Sequence, residues 1–289
     1  MDQFHAPFFE SQKFHMTNDI RGFIAKSITF PGHFHRQFEL FYMMKGQVEM
    51  SINQEKCLLQ VGDLGISLPN DVHSYRSEGE TEGILLIFSP EYIVDCVPEL
   101  EGNDYVLASS FLRDKAYSQE VQSAIKGIFA EVQRDAQEKR EYQEAVIKGY
   151  INLMFGRILE SVSLEPMKRE HRKHSVHLQE ISRLLQENYE RKISLDDIAH
   201  EVGLNKYYIS HLFKEVMHCS IPDYLNVLRV NRAVHLITTT QSKILDISLD
   251  CGFDSQRHFN RVFKEITGAT PAQYRNKREV IHESIRDFK

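Results

Sequence analysis

Three residues that can bind a metal ion or a polar ligand lie within seven positions of one another: His33, His35 and Glu39. Their positions share the same parity, so an uninterrupted strand would direct all three side chains to one face. Imidazole and carboxylate groups together suit Fe, Mn, Ni or Zn. The segment therefore indicates either a metal site or a site for a polar small molecule.

Two segments around these residues resemble the cupin motifs. PGHFHRQFELFYMMKG (31–46) resembles the first motif, with spacing H-x-H-x3-E-x6-G, and VGDLGISLPNDVHSY (61–75) resembles the second, which supplies His73. In metal-binding cupins the four corresponding positions are ligands, and such a site would imply an enzyme or a metal sensor. The second motif departs from the pattern, since Asp71 stands where Gly is usual and His73 falls one residue early.

Three interpretations of the four residues stay open: a bound metal, effector contacts in a pocket without metal, and ordinary satisfied polar groups. We expect an effector pocket, no cofactor and no enzymatic activity. The residues assigned to the effector, and to a metal if one is bound, are His33, His35, Glu39 and His73.

A second chemical pattern comes from an internal repeat of about 50 residues. ISLDDIAHEVGLNKYYISHLFKEV (193–216) aligns with ILDISLDCGFDSQRHFNRVFKEI (244–266), with an offset of 49 before the turn and 50 after it. Each copy predicts a helix-turn-helix. In the first copy, Ser194 and Asp197 predict a capping box, Gly203 predicts a left-handed turn, and Asn205 predicts an N-cap. In the second, Asp254 or Ser255 predicts the N-cap.

The second helix of each copy separates an apolar face from an acid-free polar face. Arg and Asn can read base edges, while Lys and Tyr can hold phosphates. Four ordinary solvated residues would explain one such face, but two equivalent faces favour DNA. The residues expected to contact DNA are Tyr207, Ser210, His211, Lys214, Gln256, Arg257, Asn260, Arg261 and Lys264.

The C-terminal half resembles the paired helix-turn-helix domain of the AraC/XylS family of bacterial transcription regulators. The resemblance covers about 95 residues and is carried by IAHEVGLNKYYISHLFKE, YLNVLRVNRAVHLI and ISLDCGFDSQRHFNRVFKEITGATPAQYR. It implies two recognition helices in successive major grooves, roughly 34 Å apart, with the YLNVLRVNRAVHLI helix as the spacer. Cys251 replaces a usual Val, Ala or Tyr, and His211 stands where Arg is common. Family members often carry a similar HxH…FEL segment lining a pocket without metal.

The N-terminal half predicts a small sandwich or barrel of the jelly-roll kind over 21–88. Its short aromatic and β-branched runs include FIAKSITF, FELFYMM, QVEMSI, CLLQ and LGISL, and turn residues separate them. From about residue 117 the apolar spacing becomes helical. One stripe comprises Val121, Ile125, Ile128, Phe129 and Val132, and another comprises Val146, Ile147, Ile151, Met154 and Ile158. Two interpretations stay open for these helices: packing within the chain alone, or dimerisation.

The expected fold class is α+β: a cupin-like barrel with dimerisation helices, then an all-α domain. The predicted divisions are an effector barrel (1–112), a helical dimerisation region (113–164), a linker (165–175) and a DNA-binding domain (176–289), with helix-turn-helix units at about 194–217 and 243–267. The segment EPMKREHRKHS (165–175) is charged, contains Pro and lacks an apolar stripe, which is typical of a linker.

The charge distribution agrees with this division. The net charge is −6 overall, −7 for residues 1–174 and +1 for residues 175–289, so DNA binding depends on a local basic surface in the second half. Four cysteines lack metal-site spacing and indicate a reducing compartment. We find neither a transmembrane stretch nor a signal peptide pattern, so we expect a cytoplasmic protein that makes no membrane contact.

These observations together predict a DNA-binding transcription regulator. We expect an activator by family analogy, a small polar effector such as a sugar, and double-stranded DNA, RNA polymerase and a second copy of the chain as partners. The alternative is a metal-dependent cupin enzyme or metal sensor fused to a DNA-binding module. A structural adaptor without a ligand is the third hypothesis.

Overall fold

The structure is a computed structural model. It describes residues 20–53, 55–93, 96–100, 104–113, 117, 119–134, 141–217 and 219–276. The chain forms two compact units, and the main boundary between them falls between Val176 and His177. The N-terminal segment MDQFHAPFF, which could close over the predicted pocket, lies outside the described residues, as does most of the polar segment DAQEKREYQ.

The first unit contains two antiparallel sheets that face each other. The order is β1-β8-β3-β6-β10 in the five-stranded sheet and β2-β7-β4-β5 in the four-stranded sheet, while β9 pairs with β11. The strands are β1 (Ile20–Lys26), β2 (Thr29–His33), β3 (Phe38–Lys45), β4 (Val48–Ile52), β5 (Glu55–Leu59), β6 (Leu64–Ser67), β7 (His73–Ser77), β8 (Glu82–Phe88), β9 (Tyr105–Leu107), β10 (Phe111–Leu112) and β11 (Leu164–Pro166).

The apolar run FIAKSITF does not form one strand. Ser27 has a φ of 46° and stands between β1 and β2, which belong to different sheets. A serine in the left-handed region redirects the chain sharply, so one apolar run contributes to both layers of the sandwich.

Strand β3 is buried on both faces because it lies between helices and the second sheet. Phe38 and Leu40 belong to a core shared with the helices of the first unit. Phe41 meets Tyr75 of β7, with ring centroids 5.2 Å apart. Since successive side chains alternate between the faces of a strand, Glu39 lies on the side of Phe41, between the two sheets.

Two helices cover the outer face of the five-stranded sheet: α1 (Gln119–Gln133) and α2 (Gln143–Ser161). Four members of the predicted α2 stripe are buried, namely Ile147, Ile151, Met154 and Ile158. The fifth, Val146, was placed wrongly, because it is 43 % exposed. Val146 immediately precedes Ile147, so its side chain is turned about 100° from that of Ile147 around the helix. The buried face is completed by Phe155 instead.

The segment 165–175, predicted as a linker, contains the end of β11 and the beginning of α3 (Arg169–Asn188). Strand β11 pairs with β9, with Glu165 opposite Val106. The boundary between the two compact units falls inside α3 rather than in irregular chain.

The second unit is helical. After α3 it contains α4 (Leu195–Val202), α5 (Lys206–Met217), α6 (Ile221–Thr239), α7 (Ile244–Asp250) and α8 (Gln256–Thr267). The predicted α+β architecture, with a β-rich N-terminal domain and a helix-turn-helix region after it, is confirmed. Among the described residues, no helix combines the length and the apolar character needed to cross a membrane.

The predicted helix ends are found in both repeats. Ser194 and Asp197 form a capping box at the start of α4, and Gly203 ends that helix with a φ of 66°. Asn205 accepts a hydrogen bond from the backbone N–H of Tyr207 at 2.8 Å. In the second repeat, Ser255 is the N-cap of α8.

Helix α6 packs against both repeats. Near its start, Tyr224 contacts Phe213 of α5, with ring centroids 5.4 Å apart. Its second half contributes Val230, Ala233 and Ile237 to a core with α7 and α8. Its 19 residues span about 28 Å, so a single helix contacts both repeats.

Candidate functional sites

The structure brings together the four residues that the cupin-like motifs singled out, which we call the histidine cluster: His33, His35, Glu39 and His73. Each residue offers one ligand atom, and these four atoms all lie within 4.8 Å of one another. They do not come from an uninterrupted strand as the parity argument supposed. His33 ends β2, His35 lies in the turn before β3, Glu39 belongs to β3, and His73 begins β7 opposite His33.

Glu39 is the centre of the histidine cluster and is fully buried. Its Oε2 lies 3.1 Å from Nε2 of His35, and its Oε1 lies 3.2 Å from Nε2 of His73. The Tyr75 hydroxyl donates a hydrogen bond of 2.5 Å to Oε1. Burial alone would raise the pKa of Glu39, but His73 and His35 outweigh it and hold this pKa well below its usual value. The carboxyl group is therefore ionised inside the sandwich.

His73 is buried and held from behind. Its Nδ1 lies 2.9 Å from the backbone carbonyl of Asp71 and 2.9 Å from the hydroxyl of Ser67. Because a carbonyl oxygen can only accept, Nδ1 carries a proton. Burial alone would lower the pKa of His73, but the charge of Glu39 outweighs it, so this pKa lies above its usual value.

Asp71, the departure from the second cupin motif, shapes the turn before His73. Its carboxylate accepts hydrogen bonds of 2.8 Å from the side chain of Asn53 and of 2.8 Å from the backbone N–H of Leu68. An aspartate at this position thus replaces the flexibility of Gly with a fixed hydrogen-bonded turn, which positions the carbonyl that accepts the hydrogen bond from Nδ1 of His73.

His35 repeats the arrangement of His73 on the other side of Glu39. Its Nδ1 lies 3.2 Å from the backbone carbonyl of Gln37 while its Nε2 faces the carboxylate. The rings of His33 and His73 approach to 4.1 Å between centroids. His33 and His35 are half-buried, so the cluster has one buried side and one side nearer to solvent.

The predicted polar face of α5, called the first recognition face, comprises Tyr207, Ser210, His211 and Lys214. All four residues are exposed, and Tyr207 is 77 % exposed. The opposite side is buried as predicted and comprises Ile209, Leu212, Phe213 and Val216.

The second recognition face, on α8, comprises Arg257, Asn260, Arg261 and Lys264. These residues are all exposed, while Gln256 at the start of the helix is half-buried. The predicted apolar side comprises Phe259, Val262, Phe263 and Ile266; the first three are buried and Ile266 is half-buried. Cys251 lies in the same core, where burial raises its pKa to about 12.

Each recognition face is bordered by a glutamate that the sequence reasoning missed. Glu215 lies 3.3 Å from His211, and Glu265 lies 2.8 Å from Arg261. The two pairs are displaced by 50 residues, like the faces themselves. Counting the next helical turn along each face would have found them.

Other functional groups were also missed. Tyr75 and Ser67 support the histidine cluster, and both lie in or beside the second cupin-like motif. In the second unit, Arg229 donates a 2.8 Å hydrogen bond to the backbone carbonyl of Tyr189 and lies over the ring of Phe253. Nothing in the local pattern around Arg229 indicates these long-range contacts.

Comparisons with known proteins agree on both units. A family model described as an AraC-like ligand binding domain matches residues 19–148, and one described as a helix-turn-helix domain matches residues 198–277. The chain is 26 % identical over 268 residues to the Melibiose operon regulatory protein of Escherichia coli strain K12, covering 88 % of this chain and 86 % of that protein. It is 31 % identical over 104 residues to the Regulatory protein SoxS of the same strain, covering 36 % of this chain and 97 % of SoxS.

The fold also resembles that of a solved structure, ToxT from Vibrio cholerae. The TM-score is 0.56 at 16 % sequence identity, and the match covers 89 % of this chain and 98 % of ToxT. At this identity the likeness concerns the fold alone.

Proposed function

Because this chain belongs to the AraC/XylS family of transcription regulators, we propose that its two recognition faces read specific double-stranded DNA while the histidine cluster contacts a small polar effector. The observation that carries the DNA assignment is the equivalence of the two faces. Both are exposed, both lie on the second helix of a helix-turn-helix, and they are displaced by 50 residues.

The chemistry of each face suits a particular kind of contact. Arg257 and Arg261 can bridge O6 and N7 of guanine, and Asn260 can pair with adenine. Lys214 and Lys264 are point charges suited to phosphates, which position the protein without reading sequence. We assign the second recognition face the larger share of base reading, since its two arginines correspond to Tyr207 and His211 in the first.

The effector assignment depends on the polar interior of the first unit. Buried carboxylate, imidazole and phenol groups within one sandwich recognise a ligand with several hydroxyl groups, such as a sugar. The name of the Melibiose operon regulatory protein, a relative along most of the chain, supports a sugar as well. Effector binding would shift the equilibrium between conformations that differ in affinity for paired DNA sites.

We also assign a dimer contact to the outer face of α2, with a second copy of the chain as the occupant. Tyr142, Val146 and Leu153 are exposed there, by 69, 43 and 44 %. With Gly149 and Gly156, these residues follow one another along the helix at intervals of 4, 3, 4 and 3 positions. A Cβ added at either glycine would meet no atom within 4 Å. Such spacing forms the seam between two packed helices, and the glycines let the second helix approach closely.

The remaining assignments rest on analogy with the family. We propose activation through contact with RNA polymerase, and we place the protein in the cytoplasm with the DNA it reads. We assign the histidine cluster to ligand binding rather than catalysis.

Capture of genomic fragments by the purified full-length protein tests the proposal. We expect enrichment of fragments that share two half-sites about one helical turn apart, because the two repeats follow one face of the duplex. The variant carrying Arg257→Ala and Arg261→Ala should lose this enrichment while keeping its circular dichroism spectrum. Equal enrichment by the folded variant would contradict the assignment of the second recognition face.

A further inference from the structure

The geometry points to a divalent transition-metal ion as a ligand of the histidine cluster, held by Nε2 of His35, Nε2 of His73, a carboxylate oxygen of Glu39 and a ring nitrogen of His33. This inference deepens the proposed effector site and rests on that assignment. The metal belongs to the class of Zn²⁺, Ni²⁺ and Co²⁺.

The tautomers of two imidazoles provide the first argument. His35 and His73 each direct Nδ1 at a backbone carbonyl oxygen, that of Gln37 at 3.2 Å and that of Asp71 at 2.9 Å. A proton on each Nδ1 leaves the lone pair of the neutral ring on Nε2, and both Nε2 atoms face Glu39. Histidines that ligate metals are held in this way, with the other ring nitrogen donating to a carbonyl or carboxylate.

The second argument is the burial of the atoms that face each other. Nε2 of His73 is enclosed, and it faces the Glu39 carboxylate, whose Oε1 lies 3.2 Å away. Without a metal, a proton on Nε2 lets His73 donate to the carboxylate, and a divalent ion would take the place of that proton. A metal ion satisfies both nitrogens and the carboxylate at once.

The spacing and the outer support also suit a metal. Bonds of about 2.0–2.2 Å place tetrahedral ligand atoms roughly 3.4 Å apart, close to the 3.1 and 3.2 Å that separate the histidine nitrogens from Glu39. A ring nitrogen of the half-buried His33 lies within 4.8 Å of the other three ligand atoms. The Tyr75 hydroxyl fixes the carboxylate at Oε1, as an outer hydrogen bond does around metal ligands.

The ligand types decide the metal class. Imidazole favours first-row transition-metal ions such as Zn²⁺ and Ni²⁺, whereas Mg²⁺ and Ca²⁺ prefer sites built from oxygen alone. An ion that expands from four to five or six ligands would accept oxygen atoms of an effector at the added positions. The metal would then form part of the effector pocket.

Titration of the chelator-treated full-length protein with Co²⁺ tests the inference without DNA. We expect visible absorption bands that saturate at one Co²⁺ per chain, are displaced by Zn²⁺, and do not respond to Mg²⁺. His33→Asn and Glu39→Gln should each weaken Zn²⁺ binding by at least about tenfold, since even residues behind the ligands contribute 10–100-fold. The matched control is His200→Asn, which removes an exposed histidine from the second unit.

Two outcomes would overturn the inference. One is the absence of saturable Co²⁺ binding in wild-type protein whose circular dichroism is native. The other is binding that persists unchanged in both folded cluster variants. Wild-type titration decides the matter even if Glu39→Gln fails to fold. DNA capture is a separate measurement, so loss of the metal inference would leave the regulator assignment intact, and the reverse also holds.

Discussion

At the scale of single residues, the two recognition faces separate groups that can read bases from groups that can hold phosphates. Asn260 and Lys264 are both exposed and lie on the same side of α8. An amide can make a bidentate contact to adenine, whereas an ammonium on phosphate acts at any sequence and releases counterions. Neighbouring residues are therefore expected to have different effects on specificity and salt dependence.

We expect Asn260→Ala to weaken binding to the captured site by about 1–3 kcal/mol while changing binding to unrelated DNA little. Lys264→Ala should weaken both and reduce the slope of log K against log salt by about 1. Binding measured at several salt concentrations on specific and scrambled duplexes separates these effects. Arg183→Ala, in which an exposed arginine of α3 is removed, is the control. Equal losses on both duplexes for Asn260→Ala would argue against a base contact.

In the proposed DNA complex, Glu265 competes with DNA for Arg261. Nη1 of Arg261 lies 2.8 Å from Oε1 of Glu265, and both side chains are exposed. An ion pair of this kind contributes about 0–1 kcal/mol to the free energy of unfolding. We expect Glu265→Gln to strengthen DNA binding, because it frees the guanidinium and removes a negative charge beside the phosphates. Glu187→Gln is a matched control, since Glu187 forms the same i,i+4 pair with Arg183 in α3. Unchanged affinity in Glu265→Gln would indicate that Arg261 stays on its helix in the complex.

At the scale of elements, the two turns of the repeat differ in how closely they are packed. Gly203 and Gly252 both have positive φ, 66° and 84°. A Cβ at Gly203 would meet no atom within 4 Å, while one at Gly252 would lie 2.6 Å from the carbonyl oxygen of Glu190 and 2.7 Å from that of Tyr189. The second turn is therefore pressed against the segment after α3, which Arg229 also holds.

We expect Gly203→Ala to destabilise the protein by about 1–2 kcal/mol, the cost of a left-handed alanine. Gly252→Ala should cost about 1–3 kcal/mol more, because backbone atoms must move away from the new methyl group. Thermal unfolding followed by helical circular dichroism compares the two variants directly. Equal melting temperatures would mean that the segment after α3 moves away from the new methyl group at no cost in stability.

The sequence predicted the elements of the second unit well because the repeat supplied two independent copies of each signal. The capping box at Ser194, the turn at Gly203 and the buried side of α8 all depend on residues within one or two helical turns. The first unit was harder to predict. The turn at Ser27 divides one apolar run between two sheets, and Val146 shares the composition of the stripe beside it but not its direction.

The histidine cluster shows the same division between local and distant information. Motif spacing selected its four members, but not the separate elements that bring them together. The roles of Tyr75 and Ser67 depend on strand pairing across the sandwich, and Arg229 binds carbonyls about 40 residues away in the chain. The spacing of residues in a single sequence does not indicate which strands pair or which distant groups form hydrogen bonds.

At the scale of the whole molecule, pairing of two chains would determine how the protein occupies DNA. A dimer holds a second DNA-binding domain near its half-site, which raises affinity for paired sites by about 10²–10⁴ without new contacts to either site. A monomeric variant would therefore bind a single half-site normally and a paired site poorly. This difference separates a defect in pairing from a defect in DNA reading.

We expect Leu153→Arg to convert the protein to a monomer, because two copies of the new charge would meet across the α2 seam and repel each other. Leu58→Arg is the matched control, since Leu58 is exposed to a similar extent, 46 % against 44 %, but lies on β5. Sedimentation and binding to single and paired half-sites measure the outcome. A dimeric Leu153→Arg variant would exclude α2 as the contact, whereas a monomer that still binds paired sites tightly would show that pairing contributes nothing to DNA affinity.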